Sequence, residues 1–140
     1  MDGMSGLRRA APYPAAVELR CWTLDAFGEL RRLRAALREA IENNAAEVDD
    51  LFDKMAVVAT ELATNALRHG LPPTEVRLLR YDHRLILDVA DYDVGTLPEV
   101  DDSRPLGAGG LGLQLTKTFA VDTGWYTTET TKHVWASFPG

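Results

Sequence analysis

The sequence predicts an α+β protein in which helices cover one face of a mostly antiparallel sheet. Two segments repeat apolar residues every three or four positions, as amphipathic helices do, and five short segments have the alternation or composition of strands. Along the chain the order is strand, two helices, two strands, a long loop, a third helix and two strands. Helices grouped on one side of such a sheet make a two-layer α/β sandwich.

The first strand is predicted over 16–23. The first helix begins near Asp25, which is expected to be its N-cap, and ends at the asparagine pair 43–44. Its apolar residues recur at three and four positions: Phe27, Leu30, Leu33, Leu37 and Ile41. The second helix is predicted from about 46 to 69, because Gly70 is a typical C-cap residue and Pro72 and Pro73 block continuation.

The second half of the chain predicts two hairpins separated by a loop. Strands are expected over 74–81 and 84–92, joined by a tight turn, and a closing hairpin over 121–138. Residues 92–109 show no periodicity, and a loop of this length in a small domain is usually functional. A third helix is expected over about 110–120, directly after a run of glycines.

Composition indicates one globular domain. The chain has 140 residues, of which 46% are hydrophobic and 26% charged, and a net charge of −6, which argues against a nucleic-acid-binding surface. We expect a flexible tail over 1–14 and a single domain over 15–140. No apolar segment has the length of a membrane span or the pattern of a signal peptide, so a cytoplasmic protein is expected.

The single cysteine and two tryptophans of the predicted strands are interpreted as structural residues. Cys21 cannot form an internal disulfide because the chain has one cysteine, and a small buried side chain is its expected role. Trp125 and Trp135 are expected in the core.

A polar stripe lies beside the apolar stripe of the second helix, in the segment TELATNALRHG. Glu61, Asn65 and His69 are four residues apart and share one face, next to the apolar residues Leu51, Met55, Ala59, Leu62 and Ala66. An amide oxygen and a carboxylate one turn apart suit Mg²⁺ and its water ligands, or proton transfer from a hydroxyl. A solvated helix face is the alternative, and His69 has the position of a helix C-terminal residue.

Asp91 continues the apolar face of its strand, after Leu85, Leu87 and Val89. A carboxylate on a buried face needs a donor, and the exocyclic amine of a purine is one such donor. A turn or capping role at the strand end is the alternative.

The glycine run GAGGLGL contains the spacing G-x-G-x-x-G at Gly107, Gly109 and Gly112. It follows an acidic loop rather than a strand, and therefore does not fit a dinucleotide-binding fold. Glycines before a helix N-terminus still suit a phosphate. A flexible hinge that caps the helix is the other interpretation.

Taken together, ELATNALRHG, DVADYDVGTLP and GAGGLGLQL resemble the GHKL (histidine kinase-like) ATPase superfamily with its Bergerat ATP-binding fold, from about residue 16 to 138. Within it, the chain is most similar to small bacterial anti-sigma factors with serine-protein kinase activity. The resemblance implies ATP and Mg²⁺, with Asn65 as the metal ligand, Glu61 as the general base and Asp91 as the acceptor for adenine N6. It also implies an ATP lid over about 93–109 and nucleotide contacts by the following glycine-box residues: Gly95, Gly109, Gly110, Leu111, Gly112 and Leu113.

Two residues depart from the family pattern. Asp93 stands where the first glycine of the Asp-x-Gly-x-Gly box is usual. The threonine that often helps the aspartate hold adenine is expected at His133, with Thr131 on the same face.

The resemblance implies a sigma factor and an STAS-type anti-sigma antagonist as partners, and a homodimer is a further expectation. The function expected is that of an ATP-binding anti-sigma factor that phosphorylates the antagonist. A nucleotide-binding switch or protein-interaction module without catalysis is the alternative. Four arginines of the first helix are either part of a partner surface or a solvated face: Arg31, Arg32, Arg34 and Arg38.

Overall fold

The computed structural model describes residues 9–43, 49–95, 116 and 118–139. The first half contains β1 (Val17–Leu24), a 3₁₀ turn (Phe27–Glu29), α1 (Leu30–Glu42) and α2 (Asp49–His69). The second half contains β2 (Thr74–Tyr81), β3 (Arg84–Asp91), β4 (Asp122–Thr127) and β5 (Lys132–Pro139).

The five strands form one antiparallel sheet in the order β1-β2-β3-β5-β4. β2 and β3 are joined by a two-residue turn in which Asp82 has a φ of 54°, a conformation that aspartate tolerates better than most residues. β3 is central, and seven of its eight residues are buried. The predicted α+β sandwich is confirmed.

The core lies between the inner face of the sheet and the two helices. Leu85, Leu87 and Val89 of β3 face α2, and α1 packs against α2 and β1. The core face of α1 consists of Leu33, Leu37, Ala40 and Ile41, all buried. Trp125 and Trp135 are 7% and 1% exposed, which confirms their expected burial.

The outer face of the sheet is partly covered by the segment before β1. Ala10 N–H donates to the carbonyl of Trp125, and Trp135 Nε1 donates to the carbonyl of Ala10. Tyr13 stacks on Tyr81 with ring centroids 4.4 Å apart. The described part of the predicted tail, from residue 9 to 14, is therefore packed on the sheet.

The start of the first helix differs from the prediction. Asp25 is not its N-cap, because Glu29 reaches back one turn and its Oε1 accepts the N–H groups of Asp25 and Ala26 at 2.7 and 3.2 Å. These hydrogen bonds lower the pKa of the Glu29 carboxyl. The N-cap of the 3₁₀ turn that precedes α1 is Ala26, and the glutamate carboxylate bonds back to the N–H groups at this point of the chain.

Cys21 is exposed, which corrects its expected burial. It pairs with Arg77 across β1 and β2, and Arg77 lies on the outer face, so the thiol points away from the helices. Burial of part of the side chain, followed by the charges of Glu18 and Glu75, raises its pKa.

The third helix is described only at its end. Thr116, Thr118 and Phe119 are helical, and Ala120 N–H donates to the carbonyl of Thr116 at 2.9 Å. The rest of the predicted helix, like most of the predicted lid, lies outside the described residues. In the part of the chain that is described, none of the helices combines the length and the apolar character needed to cross a membrane.

Candidate functional site

α2 presents a buried apolar stripe and a half-buried polar stripe side by side. All five residues predicted for the apolar stripe are buried: Leu51, Met55, Ala59, Leu62 and Ala66. Glu61 and Asn65 are half-buried beside them, whereas His69 is exposed in the last turn. The helix therefore holds the carboxylate and the amide at the border between core and solvent, where a ligand can reach them.

The C-terminal end of α2 lies against Asp91, the last residue of β3. Gly70 ends the helix, and its N–H donates to the carbonyl of Ala66 at 2.9 Å. A Cβ atom on Gly70 would lie 2.4 Å from Asp91 Cγ and 2.7 Å from the Ala66 carbonyl oxygen. Gly70 does not have a positive φ, so the close approach of Asp91, rather than a left-handed turn, is what requires a glycine here.

Asp91 is 5% exposed and lies on the inner face of the sheet. Its Oδ1 accepts the N–H of Asp93 at 2.7 Å. Burial raises the pKa of the Asp91 carboxyl, while the N–H of Asp93, the ammonium of Lys132 and the backbone of Leu71 lower it. The net shift is upward because removing a carboxylate from water disfavours its charged form.

Asp93 lies in the turn that follows β3 and is hydrogen-bonded to Asp91 and Gly95. Its Oδ1 accepts the N–H of Gly95 at 3.3 Å while its own N–H bonds to Asp91. The negative charge of Asp93 also raises the pKa of Asp91, but it contributes less than burial, the two backbone groups or Lys132. The carboxylate is thus engaged with its own loop, and the side chain that departs from the glycine-box pattern organises the end of β3.

Gly95 is a predicted nucleotide contact for which the described structure shows no steric requirement. A Cβ atom there would meet Asp93 Oδ1 at 3.8 Å, an ordinary contact distance. The other predicted glycine-box residues, Gly109 to Leu113, lie outside the described residues.

Lys132 is a residue of this site that the sequence did not predict. It pairs directly with Asp91 across β3 and β5, is 7% exposed, and places Nζ 3.8 Å from Asp91 Oδ2. The prediction that His133 and Thr131 stand beside Asp91 is wrong by one position. A shift of one residue moves a strand's side chains to the opposite face, and only the pairing of β5 with β3 distinguishes the two registers.

His133 belongs instead to a polar cluster on the outer face, centred on the fully buried Asp88. Asp88 Oδ1 bonds to His133 Nδ1 at 2.6 Å, and Oδ2 accepts Tyr126 OH at 2.6 Å and Arg77 Nη2 at 3.1 Å. Thr131 Oγ1 bonds to His133 Nε2 at 2.8 Å. Burial and the adjacent Asp88 raise the pKa of Tyr126. We name this set the Asp88 cluster.

The polar groups of the site are spread along α2 and across its C-terminal end. Asn65 precedes Gly70 by five residues, roughly 7 Å along the helix axis, and Glu61 is another ~6 Å further. Asp91 therefore places a buried carboxylate at one end of this arrangement, and Asn65 and Glu61 place a half-buried amide and carboxylate further along α2. Gly70 packs directly against the buried carboxylate of Asp91. Fold and site together define a nucleotide-binding domain of the α+β sandwich class.

Comparison with known families agrees. Residues 23–138 match the family model described as a histidine kinase-like ATPase domain, and a search of curated proteins finds no match. The chain belongs to the histidine kinase-like ATPase domain family, within the GHKL superfamily. It is accordingly an ATP-binding domain of this type, a class that usually takes ATP with Mg²⁺.

Proposed function

We propose that the protein is an anti-sigma factor with serine/threonine-protein kinase activity. It binds Mg-ATP, phosphorylates an STAS-type antagonist protein, and holds a sigma factor when the antagonist is absent. The observation that carries the kinase part is the half-buried pair Glu61 and Asn65, one turn apart on α2 and on the same helix as the Gly70–Asp91 contact. A general base and a metal ligand are the two groups that phosphoryl transfer needs beside the phosphates.

The residues present fit an adenine nucleotide with Mg²⁺. Asp91 Oδ1 accepts the Asp93 N–H, and a carboxylate has about four acceptor positions, so the carboxyl keeps acceptor capacity for the N6 amino group. Among the described residues, no cluster of three or more His, Cys, Asp or Glu side chains would hold a metal. Mg²⁺ held by Asn65 would therefore take its remaining ligands from phosphate oxygens and water, as this ion commonly does.

Glu61 is assigned the proton transfer. ATP supplies the phosphoryl group, which moves from the β–γ bridging oxygen to the hydroxyl oxygen of the antagonist. Glu61 accepts the proton that this hydroxyl releases. The half-buried position of Glu61 keeps it accessible to a protein substrate while the neighbouring stripe anchors α2 in the core.

The test is incubation of the protein with Mg-ATP and a recombinant STAS-type antagonist, followed by intact-mass measurement. We expect the antagonist to gain about 80 Da, one phosphoryl group, with wild type and with Glu42→Gln, which changes an exposed glutamate of α1. The Glu61→Ala variant should bind ATP and produce no such gain. Transfer at the wild-type rate by Glu61→Ala would refute the role of Glu61.

ATP binding with no transfer to any antagonist tested would favour a switch module without catalysis. The partner roles have their own test, which is co-purification of a sigma factor in the absence of the antagonist and its release when the antagonist is added. Failure of both would leave a nucleotide-binding domain with other partners.

A further inference from the structure

Three buried polar side chains cross the inner face of the sheet beneath the end of α2. Thr74 on β2, Asp91 on β3 and Lys132 on β5 are 1%, 5% and 7% exposed. Asp91 pairs with Lys132, and Thr74 lies one residue before the Glu75–Ala90 pair, which sets it beside Asp91 on the other flank. We name these three residues the polar row.

The polar row has hydrogen-bonding capacity that the described residues do not use. Thr74 Oγ1 is buried and has no hydrogen-bond partner there. Lys132 Nζ is 3.8 Å from Asp91 Oδ2, which is close enough for an ion pair and too long for a hydrogen bond. An ammonium group carries three donors, and buried lysines are rare unless a partner compensates them. An acceptor from a ligand would satisfy Lys132 better than Asp91 alone does.

Adenine offers a donor and an acceptor side by side. Its N6 amino group is a donor, and the ring nitrogen nearest to it on each side, N1 on one edge and N7 on the other, is an acceptor. When Asp91 accepts a hydrogen bond from the N6 amino group, one of these nitrogens is turned toward a neighbour of Asp91 in the polar row. Lys132 has the complementary chemistry, because it can only donate.

We propose that Lys132 is a base-specificity residue that donates a hydrogen bond to the ring nitrogen adjacent to the amino group held by Asp91. The pair Asp91–Lys132 then recognises two neighbouring atoms of the base, whereas the carboxylate alone recognises one. This inference rests on the nucleotide site proposed above and adds to it a residue of this chain's own.

The first test uses the wild-type protein and needs no substitution. Calorimetric titration compares ADP with 1-deaza-ADP and 7-deaza-ADP, each of which replaces one flanking nitrogen by a C–H group. Loss of a hydrogen bond to a charged donor predicts about tenfold weaker binding for one of the two analogues and little change for the other. Equal affinity of all three nucleotides would overturn the proposal.

The second test couples the analogue to the side chain. Lys132→Met keeps an unbranched apolar stem and removes the donor. The affinity gap, meaning the ratio of the dissociation constants of the affected analogue and ADP, should therefore shrink to within about twofold. Lys132→Gln, which retains a neutral donor, is the second variant should the methionine variant fold poorly, and it should keep part of the gap. Arg20→Met, which removes an exposed cation from the edge strand β1, is the matched control and should keep the full gap.

The outcomes separate this proposal from the nucleotide site itself. Tighter ADP binding by Lys132→Met would show that the lysine competes with adenine for Asp91, and an unchanged gap would show that another group contacts the ring nitrogen. Either result overturns the role of Lys132 while the site stands. Absence of ADP binding by folded wild-type protein would overturn both.

Discussion

At the scale of single residues, Gly70 packs the end of α2 against Asp91. Of the described glycines, it has the least space for a Cβ atom. The chain has no room for a Cβ there, because the carboxylate carbon of Asp91 would be 2.4 Å away. The sequence predicted a glycine that ends the helix. It did not predict the contact with Asp91, which depends on how the helix is placed on the sheet.

Gly70→Ala is expected to lower the free energy of unfolding by roughly 1–3 kcal/mol, the usual cost of overpacking, and to weaken nucleotide binding because Asp91 must move. Gly28→Ala is the matched control, since a Cβ there meets no atom within 4 Å and should leave stability unchanged or raise it by up to about 1 kcal/mol. Urea unfolding and ADP titration of both variants measure the two effects. Equal behaviour of the two variants would contradict the steric argument.

The carboxyl of Asp91 is expected to make stability depend on pH in the direction opposite to an ordinary ion-paired aspartate. Its pKa in the folded state is raised above the usual 3.8, mainly by burial, so the folded protein holds this proton more tightly than the unfolded chain does. The stabilisation is complete below pH 3.8 and is lost as the pH rises through the raised folded pKa.

Asp91→Asn removes this titration and leaves an oxygen that can accept the Asp93 N–H. The unfolding free energy of wild type minus that of the variant, measured by urea unfolding at a series of acidic pH values, should fall as pH rises. The groups nearest to Asp91, namely Lys132, Asp93 and the Leu71 backbone, are common to both proteins. A difference that increases with pH would show that Lys132 outweighs burial.

At the scale of elements, β3 carries an acidic residue on each face of the sheet. Asp91 faces α2, whereas Asp88 faces outward and receives hydrogen bonds from three side chains. Asp88 is 0% exposed, and the cluster of Arg77, Tyr126 and His133 around it compensates its burial. On the outer face, the hydrogen bonds of the Asp88 carboxylate therefore link β3 to side chains of β2, β4 and β5.

Asp88→Ala should destabilise the protein by about 3–5 kcal/mol, because it leaves Arg77 and its neighbours without their buried counter-charge. Asp50→Ala breaks an exposed pair with Lys54 and should cost less than about 1 kcal/mol. Chemical denaturation of both variants gives the comparison. Nucleotide affinity of Asp88→Ala, measured where the variant is folded, should remain close to wild type because the Asp88 cluster lies on the other face from Asp91.

The sequence predicted which side of a helix or strand faces the core, but not how the strands pair with one another. The period of two placed Asp91 on the core face, and the helical period separated Glu61 and Asn65 from the apolar stripe; the structure bears out both placements. The facing residue on β5 was misassigned, because the segment TKHVWASF fits two registers one residue apart. Main-chain pairing with β3 selects Lys132, and local sequence patterns do not encode that choice.

At the scale of the whole molecule, the sandwich separates two polar regions by the thickness of one sheet. The inner region lies under the end of α2 and contains the polar row, and the outer region contains the Asp88 cluster next to the segment 9–16. The inner region contains the buried polar residues of the polar row, and the nucleotide site proposed for this family member lies there. The order of helices and strands along the chain is sufficient to predict the fold. The proposed function also depends on partner proteins, whose identity this chain does not encode.

The most direct measurement is calorimetric titration of ATP, with and without Mg²⁺, into wild type, Asn65→Ala and Asn43→Ala. Asn43 is an exposed residue after α1 and serves as the matched control. We expect Mg²⁺-dependent ATP binding by wild type and Asn43→Ala, and loss of the Mg²⁺ dependence with much weaker binding in Asn65→Ala. Folded wild-type protein that fails to bind ATP would rule out the nucleotide site, and an Asn65→Ala variant that binds ATP like wild type would rule out Asn65 as the Mg²⁺ ligand.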